Sequence, residues 1–285
     1  MKDISISQEF VDAIIKSELQ ADLGDTGDLT SRWTIPEDLQ GKARFVAKSP
    51  GVLAGGPMAG RVFQLLDPSV TCTFQADEGS QVNAGQVVGE VHGPVRSILE
   101  GERTALNLLQ RLSGIASETQ KYVSAVKGTK AIILDTRKTT PGLRPLEKYA
   151  VVQGGGQNHR MGLFDMILIK DNHIDACGGI EQAIRSVLKH IPEHPIDIEV
   201  ETRSIEDVKK ALRYPVQRIL LDNMTLETMR EAVRLANGKI PLEASGNVNL
   251  KTVRSIAETG VDYISVGALT HSVQVLDISL QYQTT

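Results

Sequence analysis

Apolar residues near the N-terminus recur at intervals of three and four positions, which is the spacing of one face of an α-helix. The residues concerned are Phe10, Val11, Ile14, Ile15 and Leu19. Ser7 precedes them in the chain. Because a serine oxygen at this position accepts backbone N–H groups, Ser7 is predicted to cap an amphipathic helix within residues 1–23.

The pattern becomes strand-like between Gly41 and Ile98, where short β-type runs are separated by glycine turns and by one helical stretch at 57–66. The β-type runs occupy residues 43–47, 70–74, 87–92 and 95–99. This arrangement predicts a small α+β layer. Residues 77–90 are also similar to the hairpin of a lipoyl carrier, but the lysine that such a carrier modifies is missing from the turn.

A long helical pattern covers residues 102–126, with Leu106, Leu109, Leu112 and Ile115 on one face. Arg103 falls in the first turn of this predicted helix. A cation there opposes the helix dipole, so the position indicates an anionic neighbour. The alternative is an ordinary surface arginine in water.

From Lys130 onwards, apolar strand-like runs alternate with helical patterns, which predicts βα units and a parallel sheet or barrel. The predicted strands are residues 131–134, 166–169, 196–200, 218–221, 240–244 and 263–266. The predicted helices between them include residues 180–190, 205–213, 226–236 and 250–258. A complete eight-fold barrel needs roughly 200 residues or more, so six strands predict an incomplete, open α/β barrel.

Every predicted strand of this region runs into polar or glycine residues at the same end. In α/β barrels the chemistry gathers at the carboxyl ends of the strands. The runs at 131–134 and 166–169 lead into Arg137, Lys138 and Lys170, and we expect them to be neighbouring strands. Several cations held together require an anion. The triple glycine at 154–156 predicts a positive φ or a close backbone approach in the connection between them.

The overall composition narrows the possible partners. The formal net charge is −4, which argues against nucleic acid as a partner and makes a local cluster of cations more informative. Cys72 and Cys177 have no ligand spacing, which indicates two free thiols in a reducing cytoplasm. No apolar run approaches the ~18 residues of a membrane span. We therefore expect a cytoplasmic protein without membrane or nucleic-acid partners.

Three segments carry a resemblance to a known family: DTRKTTPGLRPLEKYAV from Asp135, GGGQNHRMGL from Gly154 and LIKDNH from Leu168. They resemble the core motifs of the quinolinate phosphoribosyltransferases. The resemblance extends to DLGDTGDLTS upstream and to IEVE, LLDN, EASGN and SVGALTHS downstream. We accordingly divide the chain into an N-terminal α/β sandwich domain (1–112), a barrel domain (113–270) and a C-terminal segment (271–285) that packs back on the N-terminal domain.

The resemblance implies transfer of phosphoribosyl from phosphoribosyl pyrophosphate to quinolinate, with loss of CO2 and with magnesium as cofactor. Both substrates are polyanions. Arginine forks match carboxylates, and lysine supplies a point charge for phosphate. The cluster of cations therefore fits the chemistry that the resemblance implies.

The resemblance also implies individual roles. Lys138, Lys170, Glu201 and Asp222 are expected to be catalytic. The carboxylates of quinolinate are expected among Arg103, Arg137, His159, Arg160 and Lys170, with Thr136 also binding substrate and Lys138 near the pyrophosphate. Glu201 and Asp222 are expected to bind ribose hydroxyls or magnesium. The 5′-phosphate is expected at Ser245, Gly246, Asn247, Gly267 and Ala268, which precede helices. Asn172 and His173 are expected to support the site from behind.

Simpler alternatives stay open for some of these residues. Glu201 and Asp222 could each pair with a lysine, and His159 could cap a loop. Lys170 at a strand end is also compatible with a class I aldolase that forms a Schiff base. A related pyrophosphorylase with another acceptor and a phosphometabolite-binding regulator are further alternatives. For the assembly, the resemblance implies a homodimer in which Arg103 completes the site of the neighbouring subunit.

Overall fold

The computed structural model describes residues 6–191 and 195–283, so the ends of the predicted N-terminal domain and C-terminal segment lie outside it. The helices within these ranges are α1 (Gln8–Leu23), α2 (Leu29–Thr34), α3 (Gly56–Leu66), α4 (Val95–Ala125), α5 (Arg144–Gln153), α6 (Asp171–Ala176), α7 (Ile180–Leu188), α8 (Ile205–Ala211), α9 (Leu226–Ala236), α10 (Val253–Ala257) and α11 (Ala268–His271). The strands are β1 (Gln40–Ala47), β2 (Gly51–Val52), β3 (Thr71–Phe74), β4 (Gln81–Val82), β5 (Val87–Pro94), β6 (Ile132–Leu134), β7 (Ile167–Ile169), β8 (Ile198–Thr202), β9 (Arg218–Asp222), β10 (Leu242–Ser245), β11 (Tyr263–Ser265) and β12 (Ile278–Gln283). None of the helices in these ranges has both the length and the apolar character needed to cross a membrane.

The chain forms two compact units, each built from separate stretches of sequence. The first contains residues 1–120, 140–155 and 272–285 as far as they are described, and the second contains 121–139 and 156–271. The sequence predicted a contiguous barrel domain over 113–270 instead, although it also predicted that the C-terminal segment packs back on the N-terminal domain, as β12 does on β1. The difference arises because α5 belongs to the first unit, where Arg111 of α4 donates to its buried Glu147 at 3.0 Å.

The first unit contains an antiparallel sheet of order β12-β1-β5-β3 and a small β2–β4 pair. Alternate positions of β1 face the core, where Phe45 packs edge-on against Phe63 of α3 and stacks on Phe74 of β3. Strand β12 pairs with β1 from Ala47↔Ile278 to Lys42↔Gln283. The predicted helix at the N-terminus is confirmed as α1, and Ser7 accepts from the backbone N–H of Phe10 at its start.

One prediction in this region is wrong. Residues 95–99 were expected to form a strand, but they are the first turns of α4, which begins at Val95 rather than at residue 102. Val95 and Ile98 have helical spacing and are buried, so they extend the apolar face of the helix towards its N-terminus. Arg103 consequently lies about two turns inside α4, and the dipole argument for an anion beside it does not hold.

The second unit has a sheet of six parallel strands in the order β6-β11-β10-β9-β8-β7. All six predicted strands and the helices between them are present, and the predicted fold of a small N-terminal α/β sandwich domain followed by an open barrel of parallel strands is confirmed. The strands β6 and β7 are the two edges of the sheet, however, so the expectation that they are neighbours is wrong. Four strands separate them because the sheet continues through β8 to β11 before it reaches β6.

The predicted close approach at the triple glycine is present. Gly155 has a φ of 86°, and a Cβ on Gly154 would lie 2.4 Å from the carbonyl oxygen of Ala116. The chain then returns to the parallel sheet, where the N–H of Gln157 donates to Ile133 and its carbonyl accepts from Asp135. The residues that follow Gln157 are therefore held beside the end of β6.

Two helical glycines in the first unit predict opposite effects on stability. A Cβ on Gly114 would lie 2.3 Å from the carbonyl oxygen of Gln274 and 2.9 Å from Cα of Val275, and neither backbone atom can rotate away. The nearest atoms to a Cβ on Gly60 are those of Cys72 at 3.8 Å, an ordinary contact. We expect Gly114→Ala to lower the free energy of unfolding by about 1–3 kcal/mol through overpacking. Gly60→Ala should raise it by about 0.5–1 kcal/mol through helix propensity.

Thermal and urea unfolding of both variants beside the unsubstituted protein measure this difference. Equal destabilisation by the two substitutions would contradict the close packing of α4 against residues 274 and 275.

Candidate active site

A cavity of about 500 Å³ opens in the second unit at the carboxyl ends of the parallel strands. Eleven of the residues predicted to form the site line it, namely Thr136, Arg137, Lys138, His159, Arg160, Lys170, Glu201, Asp222, Ser245, Gly246 and Asn247. It is also lined by Leu168, Leu220, Asn223, Glu243 and Ser265. The edge strands β6 and β7 thus deliver their cations to one cavity although they do not pair with each other.

Three of the predicted residues are placed elsewhere. Gly267 lies behind Lys138, because a Cβ on it would be 3.1 Å from Cδ of that lysine. Ala268 begins the short helix α11, and Thr270 of this helix donates to the carbonyl of Lys138 at 2.8 Å. This contact holds the backbone of Lys138 in place. Arg103 belongs to the first unit, where its side chain is exposed.

The cations differ in their surroundings. Lys170 is half exposed, and its Nζ lies 3.0 Å from Oε2 of the buried Glu201. Arg160 is buried, and it donates to the carbonyl of Met166 at 3.1 Å. Burial and the nearby guanidinium of Arg137 lower the pKa of Arg160. Two guanidinium groups that repel each other at a cavity wall are stabilised by an anion placed between them.

The loop between β6 and β7 is organised by Asp135, which is fully buried at the end of β6. One carboxylate oxygen accepts from the backbone N–H of His159 at 2.9 Å, and the other accepts from the side-chain amide of Asn158 at 2.5 Å. A buried carboxylate that accepts such bonds fixes the backbone around it. Asp135 therefore positions His159 and Arg160 at the cavity wall.

His159 does not cap a loop. Its Nε2 points into the sheet, where it lies 2.9 Å from Oε2 of Glu199 and 3.5 Å from Oε2 of Glu243. Both carboxylates are fully buried. Arg218 completes this buried cluster, donating to Glu243 at 2.8 Å while its guanidinium lies over the ring of Tyr263 at 4.1 Å.

The charges of the cluster depend on one another. Burial alone lowers the pKa of His159, but hydrogen bonds and attraction from Glu199 and Glu243 outweigh it and raise the pKa to about 9. Burial and the neighbouring Glu243 raise the pKa of Glu199 to about 7. The pKa of Glu243 is lowered although burial opposes this, because His159 and Arg218 stabilise its charge.

The Nδ1 of His159 faces the backbone N–H of Arg160 at 2.8 Å, a contact that suits a neutral ring. We assign the charged ring nevertheless. Two buried carboxylates that face only Arg218 would leave an uncompensated charge, which costs more than one hydrogen bond between adjacent residues. A charged His159 makes the cluster neutral overall, with two cations and two anions.

His159, Glu199 and Glu243 also have the residue types of a metal site, since their ligand atoms lie within 4.8 Å of one another. Arg218 argues against a divalent ion at this point. A metal would add two positive charges beside a guanidinium that already pairs with Glu243. The cluster therefore fits a proton on His159 better than a metal.

A second group of residues lines the cavity at the ends of β8, β9 and β10. Asp222 ends β9, and its Oδ2 accepts from the side-chain amide of Asn223 at 3.1 Å. Gly246 and Asn247 follow β10 with φ values of 96° and 52°. Glu201 is the penultimate residue of the fully buried β8 and accepts from the N–H of Asp171 at 3.3 Å.

The predicted support from His173 is present in the structure as a backbone contact, since its Nδ1 accepts from the N–H of Lys170 at 2.9 Å. The sequence analysis gave no individual role to Glu199, Glu243, Arg218 or Asn223. The signal for the first two was available. Glutamates inside strands that are otherwise buried, as in IEVE and LEAS, are rare unless the cation that pairs with them is buried as well.

Comparison with known proteins decides the family. A model described as quinolinate phosphoribosyl transferase, C-terminal domain, matches residues 115–281, and the corresponding N-terminal domain model matches residues 28–113. The chain belongs to the quinolinate phosphoribosyl transferase family. The predicted resemblance is thereby confirmed, and it covers most of the chain.

Individual relatives agree with this assignment. A protein of Nicotiana tabacum named quinolinate phosphoribosyltransferase [decarboxylating] 2b, mitochondrial, is 46% identical over 95% of this chain and 82% of its own length. A probable nicotinate-nucleotide pyrophosphorylase [carboxylating] of Synechocystis sp. is 50% identical over 85% of this chain and 83% of its own. The solved nicotinate-nucleotide pyrophosphorylase from Francisella tularensis is 39% identical with a TM-score of 0.94, covering 99% of this chain and 100% of that one.

The buried cluster predicts the titration of His159. Its pKa of about 9 lies above the ordinary 6.5, so its contribution to stability is fully present below about pH 6.5 and is lost as the pH rises through 9. Glu199→Gln removes one of the two carboxylates, and the pKa of His159 should fall by about one unit or more. NMR titration of the imidazole Cε1–H resonance measures this value.

The matched control is Glu258→Gln, which removes the same charge from an exposed pair with Arg254. It should leave the titration of His159 unchanged. An unaltered pKa of His159 in Glu199→Gln would show that Glu199 does not stabilise the imidazolium.

Proposed function

We propose that the protein transfers the phosphoribosyl group of phosphoribosyl pyrophosphate to the ring nitrogen of quinolinate. The adjacent carboxylate leaves as CO2, and the products are nicotinate mononucleotide and pyrophosphate. The observation that carries the proposal is a cavity lined by Arg137, Lys138, Arg160 and Lys170 in a chain that belongs to this family. Because the chain as a whole has a net charge of −4, this concentration of cations is local.

The acceptor is proposed to bind where the cations are densest. Quinolinate brings two adjacent carboxylates, and Arg137 and Arg160 offer forks that match them. Lys170 lines the same cavity, whereas the charge of His159 is balanced by Glu199 and Glu243 within the buried cluster. A direct hydrogen bond from His159 to quinolinate is not part of the proposal, because its Nε2 faces Glu199.

The aldolase alternative is not supported by the position of Lys170. A lysine that forms a Schiff base is usually desolvated or crowded by other cations so that its amine is neutral. Lys170 is instead 48% exposed and lies 3.0 Å from Oε2 of Glu201. A purely regulatory role is equally unsupported, because the named relatives are transferases or pyrophosphorylases.

The donor is proposed to bind in the part of the cavity that is lined by the ends of β8, β9 and β10. The backbone N–H groups of Ser245, Gly246 and Asn247 can surround its 5′-phosphate, while Asp222 and Glu201 accept from ribose hydroxyls. As the ribosyl bond breaks, positive charge grows on the sugar and negative charge on the pyrophosphate. We propose that Lys138 stabilises the departing pyrophosphate and that the two carboxylates stabilise the sugar.

Magnesium is proposed as the cofactor, and Asp222 fits it better than Glu201. Both oxygens of Glu201 are already engaged, by Lys170 and by the N–H of Asp171. Asp222 is half-buried at the cavity wall, where its carboxylate offers the oxygen ligands that magnesium prefers. A bound magnesium ion would offset charge on the pyrophosphate.

For the assembly, we propose a homodimer in which Arg103 completes the site of the neighbouring subunit. Arg103 is exposed on α4, and the acceptor it would bind carries two carboxylates. Arg103 lies within residues 28–113, which match the N-terminal domain model of the family on whose resemblance the dimer is proposed. The helix dipole no longer contributes to this argument.

A cytoplasmic location remains a proposal that rests on the free Cys72 and Cys177. Relatives from plants carry the words mitochondrial or chloroplastic in their names, so the family is not confined to one compartment. Fractionation of the native cells followed by immunoblotting tests the location. Recovery with organelles or membranes would contradict it.

The acceptor preference tests the proposed function. We expect formation of nicotinate mononucleotide with quinolinate and at least about a hundredfold lower kcat/KM with nicotinate, because a desolvated arginine would lose its carboxylate partner. Chromatographic measurement of nicotinate mononucleotide and pyrophosphate gives both rates, and EDTA should abolish turnover in the same assay. Comparable specificity constants for the two acids would refute the acceptor assignment, and full activity in EDTA would refute the role of magnesium.

Complementation between two inactive variants tests the shared site. Arg103→Ala and Lys170→Ala should each be inactive alone, because each removes a cation from the acceptor site. Random exchange of subunits makes about half of the molecules mixed dimers, each with one intact site, so about a quarter of all sites should recover. Native mass spectrometry verifies the mixed dimers. Mixed dimers without recovered activity would mean that Arg103 does not serve the neighbouring subunit.

A further inference from the structure

Asn223 lies where the two parts of the proposed donor site meet. It follows β9 directly and lines the cavity together with Asp222, Gly246 and Asn247. It is the last residue of the LLDN segment, and the sequence analysis gave it no individual role, since an asparagine after a strand is a common turn residue. Two further features of Asn223 bear on its role, namely its left-handed backbone and the two hydrogen bonds of its side chain.

The backbone of Asn223 is left-handed, with a φ of 52°. Three non-glycine residues among the described positions have a positive φ, namely Asn223, Asn237 and Asn247. Two of these three line the cavity. Left-handed non-glycine residues persist only where surrounding contacts hold them, and they concentrate at functional sites.

The side-chain amide of Asn223 uses both of its ends. Its Oδ1 accepts from Nδ2 of Asn247 at 3.0 Å, and its Nδ2 donates to Oδ2 of Asp222 at 3.1 Å. The reverse orientation would place the amide oxygen against the carboxylate oxygen of Asp222. The amide is therefore a polar bridge with a defined direction.

Gly246 allows this bridge to form. A Cβ on Gly246 would lie 2.2 Å from Oδ1 and 2.4 Å from Cγ of Asn223, so the amide packs directly on the glycine backbone. The N–H of Asn223 also donates to the carbonyl of Ser245 at 2.9 Å. The loops after β9 and β10 are thus joined by the backbone and by the side chain of one residue.

We propose that Asn223 is a positioning residue for the phosphoribosyl donor. Its amide holds the carboxylate of Asp222 at a fixed place relative to the backbone of Ser245–Asn247. One donor molecule can then engage both parts, with its ribose at the carboxylate and its 5′-phosphate at the loop. The inference rests on the proposed function, because it assigns the donor to this part of the cavity.

The physical reason is preorganisation. A ligand that must satisfy two groups loses affinity when those groups move independently, because binding then has to order them. The acceptor, by contrast, is assigned to Arg137 and Arg160, whereas the amide of Asn223 contacts Asp222 and Asn247. Loss of the amide should therefore weaken the binding of the donor and leave the binding of quinolinate nearly unchanged.

A simpler explanation is that Asn223 only tolerates the left-handed turn. Replacement by glycine separates the two explanations, because glycine adopts a positive φ freely but has no amide. If the turn alone matters, Asn223→Gly behaves as the unsubstituted enzyme. If the bridge matters, Asn223→Gly is impaired.

The experiment measures KM for phosphoribosyl pyrophosphate and for quinolinate, each with the other substrate saturating. We expect Asn223→Gly to raise KM for the donor about tenfold or more, with KM for quinolinate within about twofold of the unsubstituted value. The control is Asn237→Gly at the C-terminus of α9, where the φ is 45° and the residue lies outside the cavity. It should change neither constant.

Asn247→Gly removes the same hydrogen bond from its other end and keeps its positive φ, so it carries the test if Asn223→Gly does not fold. The double variant should lose little more donor affinity than Asn223→Gly alone, because Asn223→Gly already removes the bond to Asn247. Strict additivity of the two losses would count against the bridge.

Two results would overturn the inference. The first is a donor KM of Asn223→Gly within twofold of the unsubstituted value, and the second is an equal rise of both KM values. Failure of the unsubstituted enzyme to form nicotinate mononucleotide would instead refute the proposed function. The two failures are therefore distinguishable.

Discussion

The burial of two carboxylates inside the parallel sheet is the constraint on which the cavity depends. Glu199 on β8 and Glu243 on β10 are fully buried, and these two strands lie on either side of β9. Moving such ions out of water costs several kcal/mol each unless cations and hydrogen bonds replace the water. Arg218 on β9 and His159 from the loop after β6 supply those cations. The charge balance thus ties three strands and one loop into a single arrangement.

The buried charges of the cluster and the exposed charges of the cavity wall have different roles. The buried cluster is neutral when His159 carries its proton, so it can lie beneath the cavity without a bound ligand. Arg137, Lys138 and Lys170 are exposed at the wall, and Lys170 pairs there with Glu201. The excess positive charge therefore faces the open space, which is where a polyanionic substrate gains most from it. Buried charge organises the site, and exposed charge is available for binding.

The part of the cavity that follows β9 and β10 is organised by hydrogen bonds and backbone conformation. Asn223 and Asn247 have left-handed backbones, and Gly246 between the two loops has no room for a side chain. Asp135 plays a comparable part for the loop that carries His159, since its carboxylate accepts from the backbone there. Each of these contacts fixes a backbone segment, so a loop built from small residues can present its N–H groups in one direction.

The sequence alone was sufficient for the strand and helix order of the second unit, because alternating apolar runs and helical faces follow from local spacing. It also placed Arg137, Lys170 and Asp222 at strand ends, and parallel strands bring those ends to one edge. The tertiary structure decided the rest. Residues 95–99 have a β-type composition, yet they form helix because Val95 and Ile98 extend the buried face of α4.

Contacts between residues that are distant in the sequence could not be predicted from the sequence patterns either. The order of strands that places β6 and β7 at opposite edges is a property of the sheet as a whole. The bridge from Asn223 to Asn247 spans residues 24 positions apart, and the pair of His159 with Glu199 spans 40. Periodicity reports which face of an element is buried, whereas the partner of a buried charge is chosen by packing in three dimensions.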